Sequence, residues 1–286
     1  MSTLAEWRYT LKMFRKNMWA LFGVCIVITV IIIAILAPVI APYDPYATSV
    51  QSYQPPSREH PFGTDILGRD ILSRVIWGSR NSLMIGIFSS LISTLIGVII
   101  GSITGYYRGV TDTVAMRISE VILVIPKYFL YIMIISMLRV RTIGLVIGLI
   151  GGFEWVSTAR IVRSEFLSLR ELDYVKAARA IGARDIRIIL LHLLPNAMSS
   201  IIIITTMNIG ANILLASGLG FLGLLDPTML EWGSILAYGR KLIRHAWWIC
   251  AFPGLMIFLT VLGFNQLGDG LRDALDPRLR GRVYKA

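Results

Sequence analysis

Six long apolar stretches dominate this 286-residue chain and limit the structures that it can adopt. Each stretch is close to or longer than the ~20 residues that a helix needs to cross ~30 Å of hydrocarbon. The pattern therefore predicts an all-α polytopic membrane protein with six transmembrane helices. The predicted spans are residues 19–41, 81–106, 113–138, 142–164, 196–218 and 248–269.

The composition agrees with a membrane protein. Hydrophobic residues make up 55% of the chain and charged residues 16%, against roughly 25% charged in an average soluble domain. The net charge of +11 is typical of nucleic-acid binders too, but basic loops beside apolar spans are what orientation in a membrane requires. We therefore expect contact with lipid and not with nucleic acid. Cys25 and Cys250 lie inside apolar stretches, without the spacing of a metal site or a disulfide framework.

The distribution of basic residues predicts the orientation in the membrane. With a cytoplasmic N-terminus, 18 lysines and arginines lie inside and nine outside, so the positive-inside rule favours cytoplasmic N- and C-termini. The chain then divides into an amphipathic N-terminal segment (1–18), a transmembrane domain (19–270) and a cytoplasmic tail (271–286). Within the domain, residues 42–80 are external and residues 165–195 form a cytoplasmic loop.

The external segment starts with PYDPY and PP, a turn-rich stretch that cannot continue the first helix. Apolar residues at helical spacing then predict a short amphipathic helix that lies on the membrane or against a partner. They are Ile66, Leu67, Ile71, Leu72, Val75 and Ile76. Asp65, Arg69 and Asp70 have the spacing of surface ion pairs on such a helix, and we expect them at an interface.

The cytoplasmic loop is longer than a linker requires. A polar hairpin of about 30 residues on the positive side of a membrane is typical of a surface for a soluble partner. One side is apolar and fits a groove of such a partner, while the charges fix the register; the alternative is a helix that lies in the lipid headgroups. The apolar side consists of Leu169, Leu172, Val175, Ala178 and Ile181.

Local signals predict where the helices of this loop begin and end. Ser168 and Glu171 have the spacing of a capping box, and Gly182 supplies a C-terminal stop. The first helix is therefore predicted over 169–181. A second helix is predicted over 184–194, directly before a proline.

This loop resembles the EAA loop of permease subunits in binding-protein-dependent ABC importers, because it contains KAARAIG followed after nine residues by HLLP. A narrower resemblance, to peptide and nickel importers of the DppC/OppC type, rests on GTDILGRDILSRVIWGSR, DYVKAARAIGA and GDGLRDALDPRLR, which occur in order along nearly the whole chain. Lys176 stands where the general motif has Glu, and His192 where it prefers Ile. No particular charge pair with an ATPase is therefore assigned.

The resemblance implies the type I ABC importer (MetI-like) permease fold, in a bacterial or archaeal cytoplasmic membrane. It implies three kinds of partner protein besides lipid: a second homologous permease subunit, two ABC ATPase subunits and an extracytoplasmic substrate-binding protein. The first helix of the loop would be the coupling helix, which sits in a cleft of an ATPase subunit. The residues expected to couple are Tyr174, Lys176, Ala177, Ala178, Arg179, Gly182 and Ala183.

The sequence itself contains no GxxxxGK[ST] phosphate loop, HExxH motif or nucleophile elbow. We therefore expect a non-catalytic subunit with no catalytic residues, no metal site and no cofactor of its own. ATP and Mg²⁺ are expected on the ATPase chains.

Polar residues inside the predicted spans are candidates for the translocation path. A charge near the bilayer centre costs at least ~2.5 kcal/mol, so a functional role is the default hypothesis. Lys127 lies in the third span, Glu154 in the fourth, and Asn208 and Asn212 in the fifth. We expect these four to line the path, where opposite charges suit a zwitterionic peptide. The alternative is structural, with these groups paired to each other or to the second permease.

The predicted function is half of the pathway of an ATP-driven importer for di- or oligopeptides. Within the family, nickel, oligosaccharides or antimicrobial peptides are alternative substrates. Asp65, Arg69, Asp70 and the Gly-rich loop 217–236 would contact the binding protein or the second permease. Two other classes stay open: a proton-coupled carrier with a relay of Glu120, Lys127 and Glu154, although no inverted repeat is detected, and a scaffold that recruits an enzyme through the loop.

Overall fold

The structure of the chain, a computed structural model, describes residues 13–138 and 140–275. Most of the predicted N-terminal segment and of the predicted tail lies outside the described residues. The principal helices, in chain order, are α1 (Met18–Ile40), α2 (Ile71–Tyr107), α3 (Gly109–Val124), α4 (Lys127–Leu138), α5 (Ile143–Phe153), α6 (Trp155–Leu169), α7 (Asp173–Ala180), α8 (Asp185–Ile188), α9 (Leu194–Phe221), α10 (Trp232–Gly239) and α11 (Trp248–Leu275), and Ile189–Leu193 form a π-helical turn between α8 and α9.

Five helical segments are long and apolar enough to cross a membrane. They are α1, α2, α5 continued by α6, α8 continued through the π turn by α9, and α11. The bent pair α3 and α4 is a sixth span if it is counted as one. The predicted all-α polytopic architecture is confirmed.

The third predicted span, 113–138, is not one helix. The axes of α3 and α4 differ by 86°, and the break falls at Ile125 and Pro126. Proline has no N–H to donate and pushes the residue before it out of the helical conformation. Ile125 accordingly has an extended backbone, with φ −77° and ψ 124°. The prediction of a continuous helix was wrong here because the chain turns where the proline interrupts the hydrogen-bond ladder.

The separate amphipathic helix predicted before the second span was also wrong. The Asp70 carboxylate accepts a hydrogen bond from the Ser73 backbone N–H at 2.7 Å and caps α2, which then runs for 37 residues without a break. Ile66 and Leu67 lie in a turn ahead of the cap and are exposed. The apolar periodicity after residue 70 belongs to the first turns of the span itself.

Helices α2 and α6 pack closely because three glycines lie on one face of α2. Gly97, Gly101 and Gly105 are four residues apart, and a Cβ at Gly97 or Gly105 would lie 2.6 Å from the Cβ of Thr158 or Phe166. Small residues at this spacing let helix backbones approach each other in a membrane, where dispersion contacts drive helix association. This glycine stripe, which the sequence analysis did not single out, makes α2 and α6 one unit.

The segment between α1 and α2 folds back onto the helix ends. The Trp248 indole N–H donates to the Thr64 carbonyl at 3.1 Å, and the rings of Phe62 and Phe252 stack with centroids 3.8 Å apart. These contacts fix residues 41–70 against the start of α11 and form a cap over one end of the helices.

Candidate functional site

Helix α7, in the loop of the family resemblance, is shorter than predicted. It begins at Asp173, and Leu172 at its N-cap makes no side-chain hydrogen bond to it. Ser168 is still inside α6, so the predicted capping box does not form. The Glu171 carboxylate instead lies 3.2 Å from an Arg108 guanidinium nitrogen.

The end of α7 follows the prediction. Gly182 has φ +82°, a left-handed conformation that glycine adopts without steric cost. Its N–H donates to the Arg179 carbonyl at 3.0 Å, and the Ala183 N–H donates to the Ala178 carbonyl at 3.1 Å. The chain therefore leaves α7 through a glycine corner.

The second predicted helix, 184–194, does not end before the proline. Residues Asp185–Phe221 form one continuous helical segment, with the π turn placed just before Pro195. The Leu194 N–H donates to the Ile189 carbonyl five residues back. The wider π turn accommodates Pro195, which has no N–H to donate to the helix. Both π-bulges and prolines are common causes of irregularity in helices.

The apolar side of α7 is divided between two environments. Val175 and Ala178 are buried in a cluster with Phe166 of α6 and Ile188 of α8. Ile181, in contrast, is 86% exposed. The predicted continuous stripe was therefore wrong, because part of it is covered by this chain's own helices. Leu172 is also exposed, and Leu169 is only partly buried.

Of the residues expected to couple to an ATPase, most face outward. Tyr174, Lys176, Ala177, Arg179 and Gly182 are exposed, Ala183 is half-buried and Ala178 is buried. The structure thus presents a polar and small-residue surface around α7, while the buried side anchors the helix to the transmembrane domain.

Tyr106, which the sequence analysis missed, joins the parts of this loop. Its hydroxyl donates to the Asp185 carboxylate at 2.5 Å, its carbonyl accepts from Arg170 at 2.5 Å, and the Arg179 guanidinium lies 5.4 Å from its ring centroid. Its place at the end of an apolar span is the only sequence signal, and it is typical of interfacial tyrosines in general.

Inside the transmembrane domain, the structure brings Lys127 and Glu154 together. The Lys127 ammonium lies 2.5 Å from one Glu154 carboxylate oxygen, and the Tyr131 hydroxyl donates to the other at 3.1 Å. Glu154 stands between α5 and α6, and Lys127 is the first residue of α4. The pair therefore connects the fourth span to the third span, next to the break in the third span.

A small cavity of about 50 Å³ lies beside this pair. Lys127, Tyr131, Glu154 and Ser157 contribute its polar lining, and the rest of the wall is apolar. A space of this size holds one or two waters or a terminal polar group. Charged groups at a break in a membrane helix, beside a cavity, form a chemically competent binding position for a small ion or a charged terminus.

Asn208 and Asn212 do not line this cavity. The Asn212 amide is buried and donates to the Ser90 hydroxyl at 2.9 Å, and the Asn208 amide donates to the Thr158 hydroxyl at 3.2 Å. These two residues join α9 to α2 and to α6. The four polar residues expected on one path are thus divided between an ion pair and interhelical hydrogen bonds.

The expected external ion pairs are buried, not exposed at a surface. Arg69 donates from Nε to the Asp65 carboxylate at 2.6 Å, and Asp65 and Asp70 are each 2% exposed. The Asp70 carboxylate contacts a ring nitrogen of His60 at 2.9 Å besides capping α2. These groups stabilise the external cap from within.

Glu231 is a buried carboxylate that the sequence analysis did not single out. It accepts hydrogen bonds from the Ser217 hydroxyl at 2.8 Å and the Ser234 N–H at 3.0 Å, and the Ser82 hydroxyl lies 3.4 Å away. Burial raises the pKa of Glu231, and the hydrogen bonds oppose this shift. The loop 217–236 is therefore fixed to α2 and α9 through one side chain.

Metal binding finds no structural support in the part of the chain that the structure describes. Among residues 13–138 and 140–275, no group of three or more His, Cys, Asp or Glu is placed to hold an ion.

Comparison with known protein families accounts for most of the chain. Residues 97–281 match the family described as binding-protein-dependent transport system inner membrane component. Residues 6–56 match the N-terminal TM domain of oligopeptide transport permease C. Together the two matches cover both ends of the transmembrane domain.

Two relatives align over nearly their full length. The dipeptide transport system permease protein DppC of Alkalihalophilus pseudofirmus is 40% identical over 281 residues, which are 98% of this chain and 92% of that protein. The glutathione transport system permease protein GsiD of Escherichia coli O1:K1 is 42% identical over 278 residues, which are 96% of this chain and 91% of that protein.

Proposed function

The chain belongs to the family of binding-protein-dependent transport system inner membrane components, and from this premise we propose that it carries short peptides into the cell. It is a non-catalytic permease subunit of an ABC transporter, whose ATPase is a separate chain. Both relatives described above are named for peptide substrates, a dipeptide in one and glutathione in the other. Their similarity extends over more than nine tenths of this chain, which supports a substrate of the same chemical class.

The assembly that we propose has two non-identical permease subunits, two ATPase subunits and an extracytoplasmic binding protein. ATP and Mg²⁺ bind to the ATPase subunits, and both termini of this chain face the cytoplasm. The orientation is supported by the 18 lysines and arginines that it places inside, against nine outside.

The observation that carries this proposal is the way in which α7 is held. Its inner face is buried against α6 and α8 through Val175 and Ala178, while Tyr174, Lys176 and Arg179 are exposed. A helix anchored on one side and exposed on the other transmits a force from a bound partner to the spans beside it. Coupling to an ATPase requires this property, because the partner's two conformations must bias two arrangements of the permease.

The translocation path in this proposal includes Lys127 and Glu154, and Asn208 and Asn212 lie on the helices that border it. Asp65, Arg69 and Asp70 act on the external side by fixing the cap that a binding protein would meet. Lys127 and Glu154 carry opposite charges and line a cavity. This position supports both as path residues.

Uptake by the complete transporter in proteoliposomes tests this function. A radiolabelled tripeptide should accumulate when ATP is supplied at the ATPase side and the binding protein at the other side. An imposed pH gradient without ATP should give no uptake. Accumulation that follows the pH gradient and ignores ATP would contradict the proposal and favour a proton-coupled carrier.

A further inference from the structure

The ion pair of Lys127 and Glu154 joins a break in the third span to the fourth span. The third span breaks at Ile125 and Pro126, and Glu154 is the single residue between α5 and α6, which together form one membrane-spanning segment. Irregular backbone is tolerated inside a membrane only where protein covers it or where it lines a cavity. Discontinuous helices with ionisable residues are also where membrane transporters bind charged substrate groups.

The two partners of the pair differ in how firmly they are held. The Glu154 side chain is 13% exposed and that of Lys127 is 56% exposed. Tyr131 holds the Glu154 carboxylate from the other side. Lys127 is a cation in the first turn of α4, where the helix dipole disfavours positive charge. Glu154 is therefore the fixed member, and the lysine side chain is the movable one.

We propose that Glu154 and Tyr131 form a subsite for the protonated amino terminus of a transported peptide, and that the Lys127 ammonium occupies this subsite when no peptide is present. The inference rests on the proposed function, since it identifies the substrate group that the path recognises.

The Lys127 ammonium and the amino terminus of a peptide are chemically equivalent, which supports the replacement of one by the other at Glu154. The Lys127 ammonium and a peptide α-ammonium each carry one positive charge and three N–H donors, and an α-amino group is largely protonated at pH 7 because its pKa is ~7.7–8.0. A half-buried carboxylate that loses its partner is strongly destabilised, so an empty subsite needs an internal cation. Replacing one ammonium by another keeps Glu154 paired throughout.

The cavity has space for the charged end of a peptide. Its volume of about 50 Å³ has room for a water-sized group, and an ammonium group is of that size. The remainder of the substrate then lies outside the cavity, where the released and flexible Lys127 side chain meets a carboxylate.

The test compares trialanine with N-acetyl-trialanine, which has no positive charge at its amino end. The complete transporter in proteoliposomes, supplied with ATP and binding protein, gives KM for each peptide. Acetylation should raise KM, and the factor by which it does so should be about 10-fold smaller in Glu154→Gln than in the wild type. Any preference of the binding protein itself is common to both transporters and cancels in this ratio.

A matched control is Glu120→Gln. Glu120 is a carboxylate of the predicted third span, which also contains Lys127, and it is paired with Arg117 at 2.9 Å and half exposed. Its loss should leave the acetylation factor unchanged, because it does not line the cavity.

A second variant, the double exchange Lys127→Glu with Glu154→Lys, keeps an ion pair if Glu154→Gln does not assemble. The fixed group is then positive, so sensitivity to N-acetylation should disappear and C-terminal amidation should raise KM instead. An acetylation factor that is equal in the wild type and in these variants, with ATP-driven uptake intact, would overturn the subsite and leave the proposed function standing. Absence of ATP-driven uptake of both peptides by the wild type would overturn the proposed function together with the subsite.

Discussion

Ile181 provides a direct test of whether the surface around α7 binds an ATPase. This side chain is 86% exposed at the C-terminal end of α7, one residue before the glycine corner. Few atoms of its own chain cover it, so the substitution Ile181→Ala should leave the unfolding temperature of the permease unchanged. A bound ATPase that covers it would bury almost the whole side chain.

The size of the effect follows from that exposed fraction. Burying an isoleucine side chain contributes ~1.5–3 kcal/mol, and alanine retains only a small part of the apolar surface. Ile181→Ala should therefore weaken binding of the ATPase subunits by ~1.5–2.5 kcal/mol, which corresponds to roughly 10- to 60-fold in Kd.

The assay is equilibrium binding of purified ATPase subunits to the permease pair in nanodiscs, without nucleotide, by biolayer interferometry. Leu67→Ala is the matched control, because Leu67 is 47% exposed in the external segment and should have no effect on this Kd. Val175→Ala, unlike Ile181→Ala, should reduce the stability of the permease by ~2 kcal/mol, because it leaves a cavity in the buried cluster. A Kd for Ile181→Ala within twofold of the wild type would refute the docking of this surface and favour contact with lipid headgroups.

Three further predictions concern the stability of the chain, measured as thermal unfolding in nanodiscs. Gly182→Ala should destabilise by ~1–2 kcal/mol because φ is +82° there, whereas Gly148→Ala, in a helix with open space around it, should be neutral or stabilising; equal effects would contradict the assigned backbone strain. Asn212→Leu should cost ~0.5–1.5 kcal/mol through loss of the hydrogen bond to Ser90, and a gain in stability would contradict this. Burial raises the pKa of Glu231 above its ordinary value of 4.5, so its contribution is complete below pH 4.5 and decreases as the pH rises through the folded pKa. Glu231→Gln should flatten the decline that sets in above pH 4.5, and an unchanged pH profile would contradict the assignment.

The sequence predicted the spans well because their length and polarity are set by the bilayer, but it did not predict the break in the third one. Proline alone does not identify a break, since Pro38 and Pro253 lie inside α1 and α11, which continue past them. At Pro126 the chain turns by 86°, and the following helix begins with Lys127, whose ammonium pairs with Glu154 in another span. A contact between distant segments of the chain is not visible in local periodicity.

The α7 region shows the same limit on a smaller scale. Helical spacing correctly placed apolar residues along one side, and the glycine corner at Gly182 was predictable because only the backbone conformation is involved. Whether Val175 is covered by this chain and Ile181 is left exposed depends on where α6 and α8 pack. Likewise, Asp65 and Arg69 have a spacing that surface and buried ion pairs share.

Helix α6 connects α7 to the proposed amine subsite. It is 15 residues long, or about 22 Å at 1.5 Å per residue, with Glu154 directly before its first turn and the buried anchor of α7 at its last turn. The glycine stripe packs α6 closely against α2, so we expect a displacement applied at α7 to reach the Glu154 end as a movement of both helices. Lys127 lies beyond the break at Pro126, on a helix that does not share that packing. A relative movement of α6 and α4 therefore changes the distance between the Lys127 ammonium and the Glu154 carboxylate first. The conformation of the ATPase would in this way control whether a peptide amino terminus can reach the proposed amine subsite.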